Sequence, residues 1–275
     1  MPMKFLLSLL ALVCLLHAGA QELYVFSEPA SNMPARSGGL KYAAKLLDGD
    51  RGRLEQRHML EFQLGMNKKW MTHVSTSLSD MYSDNLRWES ARIYTKYRFI
   101  SVDDVHRHFR AAAFGELSYS VNDPMYDELN LEGDQSGIRT GIILTQLLHK
   151  LALSSTLSYT ASLQDRVLHM GMHSYNYNAF NYSLSAGYLL FPRTYNGYGQ
   201  TNFNLYLEML GSRALDKQAG FLDLAPAVQF IFSSNTKLNL GYRFQVSGDM
   251  ARMARSSFHL SIERTFLNML NRKKA

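Results

Sequence analysis

Apolar and polar residues alternate along much of the chain in stretches of about ten residues. From Leu238 to Val246 every second residue is apolar or aromatic, and the residues between them are polar, charged or glycine. The segments Phe203–Met209 and Phe258–Ile262 repeat this pattern. A period of two is typical of β-strands, and segments of this length are typical of strands that cross a membrane as part of a barrel.

The alternation predicts an all-β fold, a transmembrane antiparallel up-and-down β-barrel of about twelve strands. The predicted strands are 37–46, 56–66, 70–79, 88–99, 108–119, 136–148, 151–162, 174–190, 201–211, 220–232, 236–247 and 256–267. Short turns at 67–69, 149–150 and 233–235 alternate with longer loops at 120–135, 163–173 and 212–219. This alternation is expected of a barrel over residues 37–267 with both of its ends in the periplasm.

A soluble β-sandwich would also show alternating strands. Two features favour the barrel. Aromatic residues such as Trp70, Trp88 and Phe232 stand toward the strand ends, as they do at membrane interfaces. The predicted strands are also longer than the five or six residues usual in soluble sheets. Pro226 is unexpected in the tenth strand because proline lacks a backbone donor.

The first twenty residues have the features of a secretory signal. Lys4 precedes the apolar run Phe5–Leu16, and Ala18 and Ala20 provide the small residues of a cleavage site. The run is too short to span a hydrocarbon core of about 30 Å comfortably, which argues against a membrane anchor. We therefore predict that residues 1–20 are removed after Ala20 and that the protein is exported to a bacterial outer membrane.

The mature chain is predicted to lack thiol chemistry, because Cys14 is the only cysteine and belongs to the signal. Residues 21–36 contain Pro29 and Pro34, which predict an irregular periplasmic lead-in before the first strand. Residues 268–275 form a short basic tail. The net charge of +6 falls to +5 without Lys4, and the basic residues are not gathered into a nucleic-acid footprint.

Two stretches resemble a known group of proteins. The start Tyr24-Val25-Phe26-Ser27-Glu28-Pro29-Ala30-Ser31-Asn32-Met33-Pro34-Ala35 and the phrase Leu222-Asp223-Leu224-Ala225-Pro226 before Gln229-Phe230-Ile231-Phe232 are similar to those of outer-membrane barrel proteins of Bacteroidota. The resemblance covers nearly the whole mature chain. It implies compartment, fold and at most a transporter-like role, and it carries over no catalytic residues.

Charged residues at polar positions of the strands are predicted to face the lumen. The basic ones are Lys41, Lys45, Arg57, Arg92, Lys96, Arg98, Arg110, Arg139, Lys237 and Arg243, and the acidic ones are Glu61, Glu116, Glu208, Asp223 and Glu263. Since basic residues predominate, an open lumen should favour anions. Twelve strands lie between filled eight-stranded barrels and water-filled sixteen-stranded ones, so the sequence leaves open whether the lumen conducts.

Two other groups of residues have side chains suited to catalysis or to metal binding. His259, Ser261 and Glu263 lie on one face of the last strand and have the residue types of a hydrolase triad. His169, Met170, Met172 and His173 stand in a predicted loop and would suit a soft ion such as Cu(I). No oxyanion donor can be identified near the first group, and the second is a short motif of low specificity.

The sequence favours a non-enzymatic, porin-like passage or transporter component with an electropositive lumen. Its expected partners are outer-membrane lipid and small anionic solutes, and no cofactor is indicated. An outer-membrane lipid hydrolase and a structural or metal-binding barrel remain the alternatives.

Overall fold

The computed structural model describes residues 24–49, 53–104, 107–164, 166–167, 173–174, 177–192, 197, 199–216 and 219–270. Its long strands are β1 (Ser37–Gly49), β2 (Leu54–Gly65), β3 (Trp70–Ser79), β4 (Arg87–Asp103), β5 (Arg107–Ser120), β6 (Gly137–Leu148), β7 (Leu151–Ser162), β10 (Asn178–Phe191), β11 (Asn202–Ala214), β12 (Gly220–Phe232), β13 (Thr236–Gly248) and β14 (Ala254–Phe266). Between β7 and β10, β8 (Arg166–Val167) and β9 (His173–Ser174) form a small separate sheet.

The twelve long strands form one closed antiparallel barrel in which β1 pairs with both β2 and β14. Closure leaves no sheet edge, so the backbone groups of the barrel strands are hydrogen-bonded to neighbouring strands. The predicted fold is confirmed, and each predicted strand overlaps an observed one. The largest differences are at strand ends: β10 begins at Asn178 instead of 174, and β4 continues to Asp103.

The outer surface is apolar. Leu205, Leu240 and Leu260 are 40%, 42% and 44% exposed, whereas the neighbouring Asn204 and Ser261 are buried inside the barrel. This is the register that the alternation predicted, with leucines outward and polar residues inward. An apolar exterior of this kind is suited to contact with lipid. Among the described residues, no helix is both long enough and apolar enough to span a bilayer.

Exposed aromatic side chains stand near both ends of the barrel. At the end with the short turns, hereafter the turn end, the Trp70 and Tyr97 ring centroids are 4.6 Å apart. At the opposite end, hereafter the loop end, Trp88 and Tyr119 stack at 6.2 Å. These positions match the interfacial aromatic belts of membrane proteins.

The structure explains the unexpected proline of the tenth strand and shows an unusual feature of β6. Pro226 is exposed on the outer face of β12, and the pairing of β12 with β13 is interrupted at Ala225 and Pro226, so no ladder partner is lost. In β6, Ile142 points outward while Ile143 and Leu147 are buried inside the barrel. Large apolar residues therefore stand on both faces of β6, although Thr145 and Arg139 share the inner face, and inward-facing apolar residues are unusual for a barrel with a water-filled lumen.

Candidate functional site

Residues 24–36, hereafter the plug, fold into the lumen from the turn end. The backbone N–H of Arg36 donates to the Gly65 carbonyl at 2.6 Å, which fixes the point of entry. The sequence predicted an irregular periplasmic lead-in here. Residues 24–36 are irregular, but polar and apolar residues of the inner wall bind them. They therefore lie inside the barrel, and the predicted placement outside it is corrected.

Glu208 on β11 is fully buried and holds the tip of the plug. Its carboxylate accepts hydrogen bonds from three successive backbone N–H groups, those of Val25 at 2.8 Å, Phe26 at 2.9 Å and Ser27 at 2.8 Å. The Ser185 hydroxyl donates a further bond to the same carboxylate at 3.2 Å. A buried carboxylate is costly unless it is hydrogen-bonded, so Glu208 and the plug stabilise each other.

Lys96 on β4 provides a second anchor. Its ammonium group donates to the carbonyl of Pro29 at 2.7 Å and to that of Ser31 at 2.9 Å, and lies 3.4 Å from the Glu28 carboxylate. Two strands away on β6, Thr145 Oγ1 accepts a hydrogen bond of 2.9 Å from the N–H of Ala30. The plug is thus attached to wall strands on several sides of the lumen.

Apolar side chains on the inner wall cover the remaining faces of the plug. Tyr24 and Val25 pack with Leu147, and Ala30 packs with Ile143. These contacts explain why β6 carries apolar residues on its inner face as well as on its outer face. Such inward-facing apolar residues were the available sequence signal for a plug.

Residues 121–136, hereafter the capping loop, close much of the loop end. Leu129 packs beneath Tyr177 and Phe221, and the Leu131 carbonyl accepts a hydrogen bond from Ser118. An added Cβ at Gly133 would lie 2.1 Å from a carboxylate oxygen of Glu89, so a larger residue would displace this buried side chain. The loop therefore approaches the inner wall closely.

Three acidic residues attach the capping loop to basic residues of the barrel. Glu132 pairs with Lys45, and Asp134 pairs with Arg57. Glu128 pairs with Arg252 at 2.9 Å and with Arg243 at 3.4 Å. Arg252 also holds Asp223 with two hydrogen bonds, at 2.8 and 2.9 Å.

The capping-loop carboxyls are shifted in different directions. Burial raises the pKa of Glu128, but the charges of Arg252 and Arg243 lower it by more, so the net pKa lies below its usual range. For Glu132, burial is likewise outweighed by Lys45 and Arg92, and its pKa lies well below the usual range. The pKa of Asp134 is raised, because burial outweighs the charge of Arg57.

Between the plug and the capping loop lies a cavity of about 280 Å³, hereafter the chamber. Toward the loop end it adjoins a void of about 40 Å³, with which it shares lining residues that include Lys45 and Glu132. Toward the turn end, a void of about 20 Å³ shares no lining residue with the chamber. The plug separates these two spaces, since Tyr24 and Val25 pack on Leu147 and Tyr206 of the smaller void.

Charges of both signs line the chamber in the described part of the chain. The bases are Lys41, Lys45, Arg92, Arg139 and Arg243, and the acids are Glu28, Glu61, Glu116, Glu128 and Glu132. All five bases belong to the strands, but only Glu61 and Glu116 among the acids do. The wall is therefore electropositive, and the acids of the plug and the capping loop offset that charge. The residues predicted from the sequence to line the lumen all belong to strands and do not include these acids.

Several buried polar atoms on the chamber wall have no hydrogen-bond partner among the described residues. They are the hydroxyls of Tyr94 and Ser212, Nε2 of His73 and both ring nitrogens of His259. Buried polar groups are normally satisfied, so these atoms give the chamber wall hydrogen-bonding capacity that a polar solute could use.

The residues predicted to line the lumen have distinct positions. The chamber is lined by Arg92, Glu116 and Arg243. The plug is held by Lys96, Arg110 and Glu208. Asp223 is buried beside Arg252, and Lys237 pairs with Glu263. Arg98 differs, because its guanidinium donates to the Lys68 carbonyl in the β2–β3 turn at 2.7 Å. It contributes to the turn end of the barrel and not to the chamber.

The three candidate hydrolase residues all lie on the inner face of β14, but they do not form a hydrogen-bonded chain. Neither ring nitrogen of His259 has a partner among the described residues. The Ser261 hydroxyl accepts a bond from Asn239 at 2.9 Å, and Glu263 pairs with Lys237 at 2.5 Å. The side chains of a base, a nucleophile and an orienting carboxylate are thus present without the contacts that would couple them.

The predicted metal-binding motif lies largely outside the described residues, which include only the backbone of His173 in β9. Within the described part of the chain, no group of three or more His, Cys, Asp or Glu side chains is arranged to hold a metal ion. Residues 1–20, predicted as the signal, also lie outside the described range.

No family model matches the chain, and no curated protein matches it either. Solved structures do. An outer membrane channel from Pseudomonas putida F1 superposes with a TM-score of 0.60 at 12% identity, covering 88% of this chain and 100% of that one. The NanC porin superposes with a TM-score of 0.55 at 12% identity, covering 82% and 98%. At this identity the likeness establishes the barrel fold.

Proposed function

We propose that this protein is a gated, porin-like passage for small solutes. The observation that carries the proposal is the chamber of about 280 Å³ inside the barrel, lined by charged and polar groups and located between two separate occluding elements. A barrel with a purely structural role needs no such space, because side chains can fill its interior. Two of the solved barrels that it resembles are described as a channel and a porin, which supports the same role.

In this proposal the plug is the main barrier. It crosses the lumen between the chamber and the turn end, and it is held by hydrogen bonds and apolar contacts that can be released without unfolding a strand. The capping loop leaves a small void beside it and is the weaker barrier. Passage therefore requires the plug to leave its site on Glu208 and Lys96.

The open passage should prefer anions. Once the plug and the capping loop are displaced, the chamber wall keeps five bases and only two acids. Rings of Lys and Arg favour anions in pores, so small anionic solutes are the proposed cargo.

We place the barrel in a bacterial outer membrane, with lipid against its apolar outer face, as a non-enzymatic protein whose signal is cleaved after Ala20. In the described part of the chain, no hydrogen bond joins His259, Ser261 and Glu263 to one another, which supports the absence of lipid hydrolase activity. The resemblance of residues 24–35 to Bacteroidota barrels supports an origin in that group.

The proposal is tested by current measurements in planar bilayers under a salt gradient. We expect discrete openings and a reversal potential of the sign that indicates anion preference. A reversal potential of the opposite sign would refute the anion preference, and absence of any opening would refute the passage.

A further inference from the structure

We propose that the bases at the loop end form a binding site for solute carboxylates, and that the acids of the capping loop occupy this site as internal competitors. The inference rests on the proposed function, because it names the solute class and the means by which it displaces one barrier. It is drawn from the contacts around the void of about 40 Å³.

The charges that line this void are divided by origin. Within the described part of the chain, the acids are Glu128, Glu132 and Asp134, and the bases are Lys45, Arg57, Arg243, Arg252 and Arg255. Every acid belongs to the capping loop and every base to another part of the barrel. Two strand acids also hold some of these bases from behind, Asp223 on Arg243 and Arg252 and Glu89 on Arg57, but neither lines the void.

The bases already bind carboxylates in geometries that a solute could adopt. Glu128 spans two guanidinium groups, with one oxygen 2.9 Å from Arg252 and the other 3.4 Å from Arg243. Glu132 binds Lys45, which also lines the chamber. A carboxylated solute could therefore replace the loop at these bases and remain in contact with the chamber.

The void itself is too small for such a solute, since about 40 Å³ accommodates little more than a water molecule. Binding and loop docking must therefore exclude each other. A tethered carboxylate competes at an effective concentration on the order of millimolar, so a free solute needs concentrations above that to displace it.

The first test measures loop release directly. Leu131 is fully buried in the capping loop, so a cysteine at Leu131 reacts with a maleimide only when the loop lifts. The full chain carries Leu131→Cys together with Cys14→Ser, and Leu129→Cys serves as a second reporter in case one substitution disturbs folding. The probes are citrate, inorganic phosphate and chloride at matched ionic strength. The buffers are freed of divalent metal ions beforehand, so that metal chelation by citrate has no effect and no other carboxylate is present.

We expect citrate at about ten times the effective concentration of the tether to raise the labelling rate about tenfold. Phosphate and chloride should produce much smaller effects. Equal labelling in citrate and chloride would overturn the inference. An equal response to phosphate would overturn the assignment to carboxylates.

The second test separates competition from simple loop attachment. Glu128→Gln combined with Glu132→Gln removes two of the three internal competitors, leaves Asp134 on Arg57 and leaves the bases in place, so citrate binding measured by calorimetry should tighten about tenfold. Asp123→Asn, an exposed change in the same loop, is the matched control and should leave citrate affinity unchanged. Unchanged affinity in the double variant would contradict the proposal.

The outcomes distinguish this inference from the proposed function. If citrate releases the loop but no variant ever conducts, the passage is refuted and the carboxylate site stands. If the protein conducts but citrate neither binds nor releases the loop, the site is refuted and the passage stands.

Discussion

Replacing Glu208 with alanine should release the plug while leaving the barrel folded. The substitution removes the acceptor of three backbone hydrogen bonds, which measure 2.8, 2.9 and 2.8 Å. Hydrogen bonds to a charged group contribute about 1.5–3 kcal/mol each. Water that enters the space left by the Glu208 side chain can accept some of these hydrogen bonds. We therefore expect the free energy of plug docking to weaken by about 3 kcal/mol in total. Since each 1.4 kcal/mol is a factor of ten, the closed-to-open ratio should fall about 100-fold.

The assay is single-channel recording of Glu208→Ala beside the parent, with folding checked by electrophoretic mobility before and after heating. Glu208→Gln keeps an acceptor and should have an intermediate open probability. Glu263→Gln is the matched control, because Glu263 is an inner-wall glutamate whose partner is Lys237 and not the plug. An open probability in Glu208→Ala equal to that of the parent would refute the role of Glu208 in closing the barrel.

Three further outcomes follow from the structure. Leu240→Arg places a charge on the lipid-facing surface and should destabilise the barrel in bilayers by about 2–4 kcal/mol, measured by reversible unfolding; parental stability would refute the membrane register. Purified protein should release no fatty acid from phospholipid or lipid A, and release that disappears in Ser261→Ala would establish the hydrolase instead. The lowered pKa values of Glu128 and Glu132 stabilise loop docking above the usual glutamate pKa of 4.5, and this stabilisation is lost on further acidification. Asp134, whose pKa is raised, acts in the opposite direction, but it is one group against two. The open probability should therefore increase as the pH falls below about 4.5. A decrease would contradict this balance.

The barrel could be predicted from the sequence because its exterior must be apolar over the full membrane depth. This requirement imposes alternation on strands such as Leu238–Val246, and the register follows from it, since a slip of one residue would expose Asn239 to lipid. Strand ends were less certain, because beyond the membrane the alternation is no longer required.

The plug and the capping loop could not be predicted in the same way. Both are irregular, so their positions depend on individual contacts such as Glu208 with three backbone N–H groups, which have no periodic signature. Backbone donors are common to nearly every residue, and no side chain of the plug identifies this partner. Ile143 and Leu147 did carry information, since apolar residues on an inner wall need something to pack against.

The passage is proposed to open when the plug moves, and a reversible covalent lock between the plug and the wall tests this movement. The hydroxyl oxygens of Ser27 and Ser185 are 2.9 Å apart, so cysteines at these positions, in a Cys14→Ser background, can join the plug to β10. We predict that the doubly substituted protein conducts when reduced and stops conducting when oxidised, whereas either single cysteine variant is insensitive to oxidation. Current that persists unchanged after complete cross-linking would contradict the account.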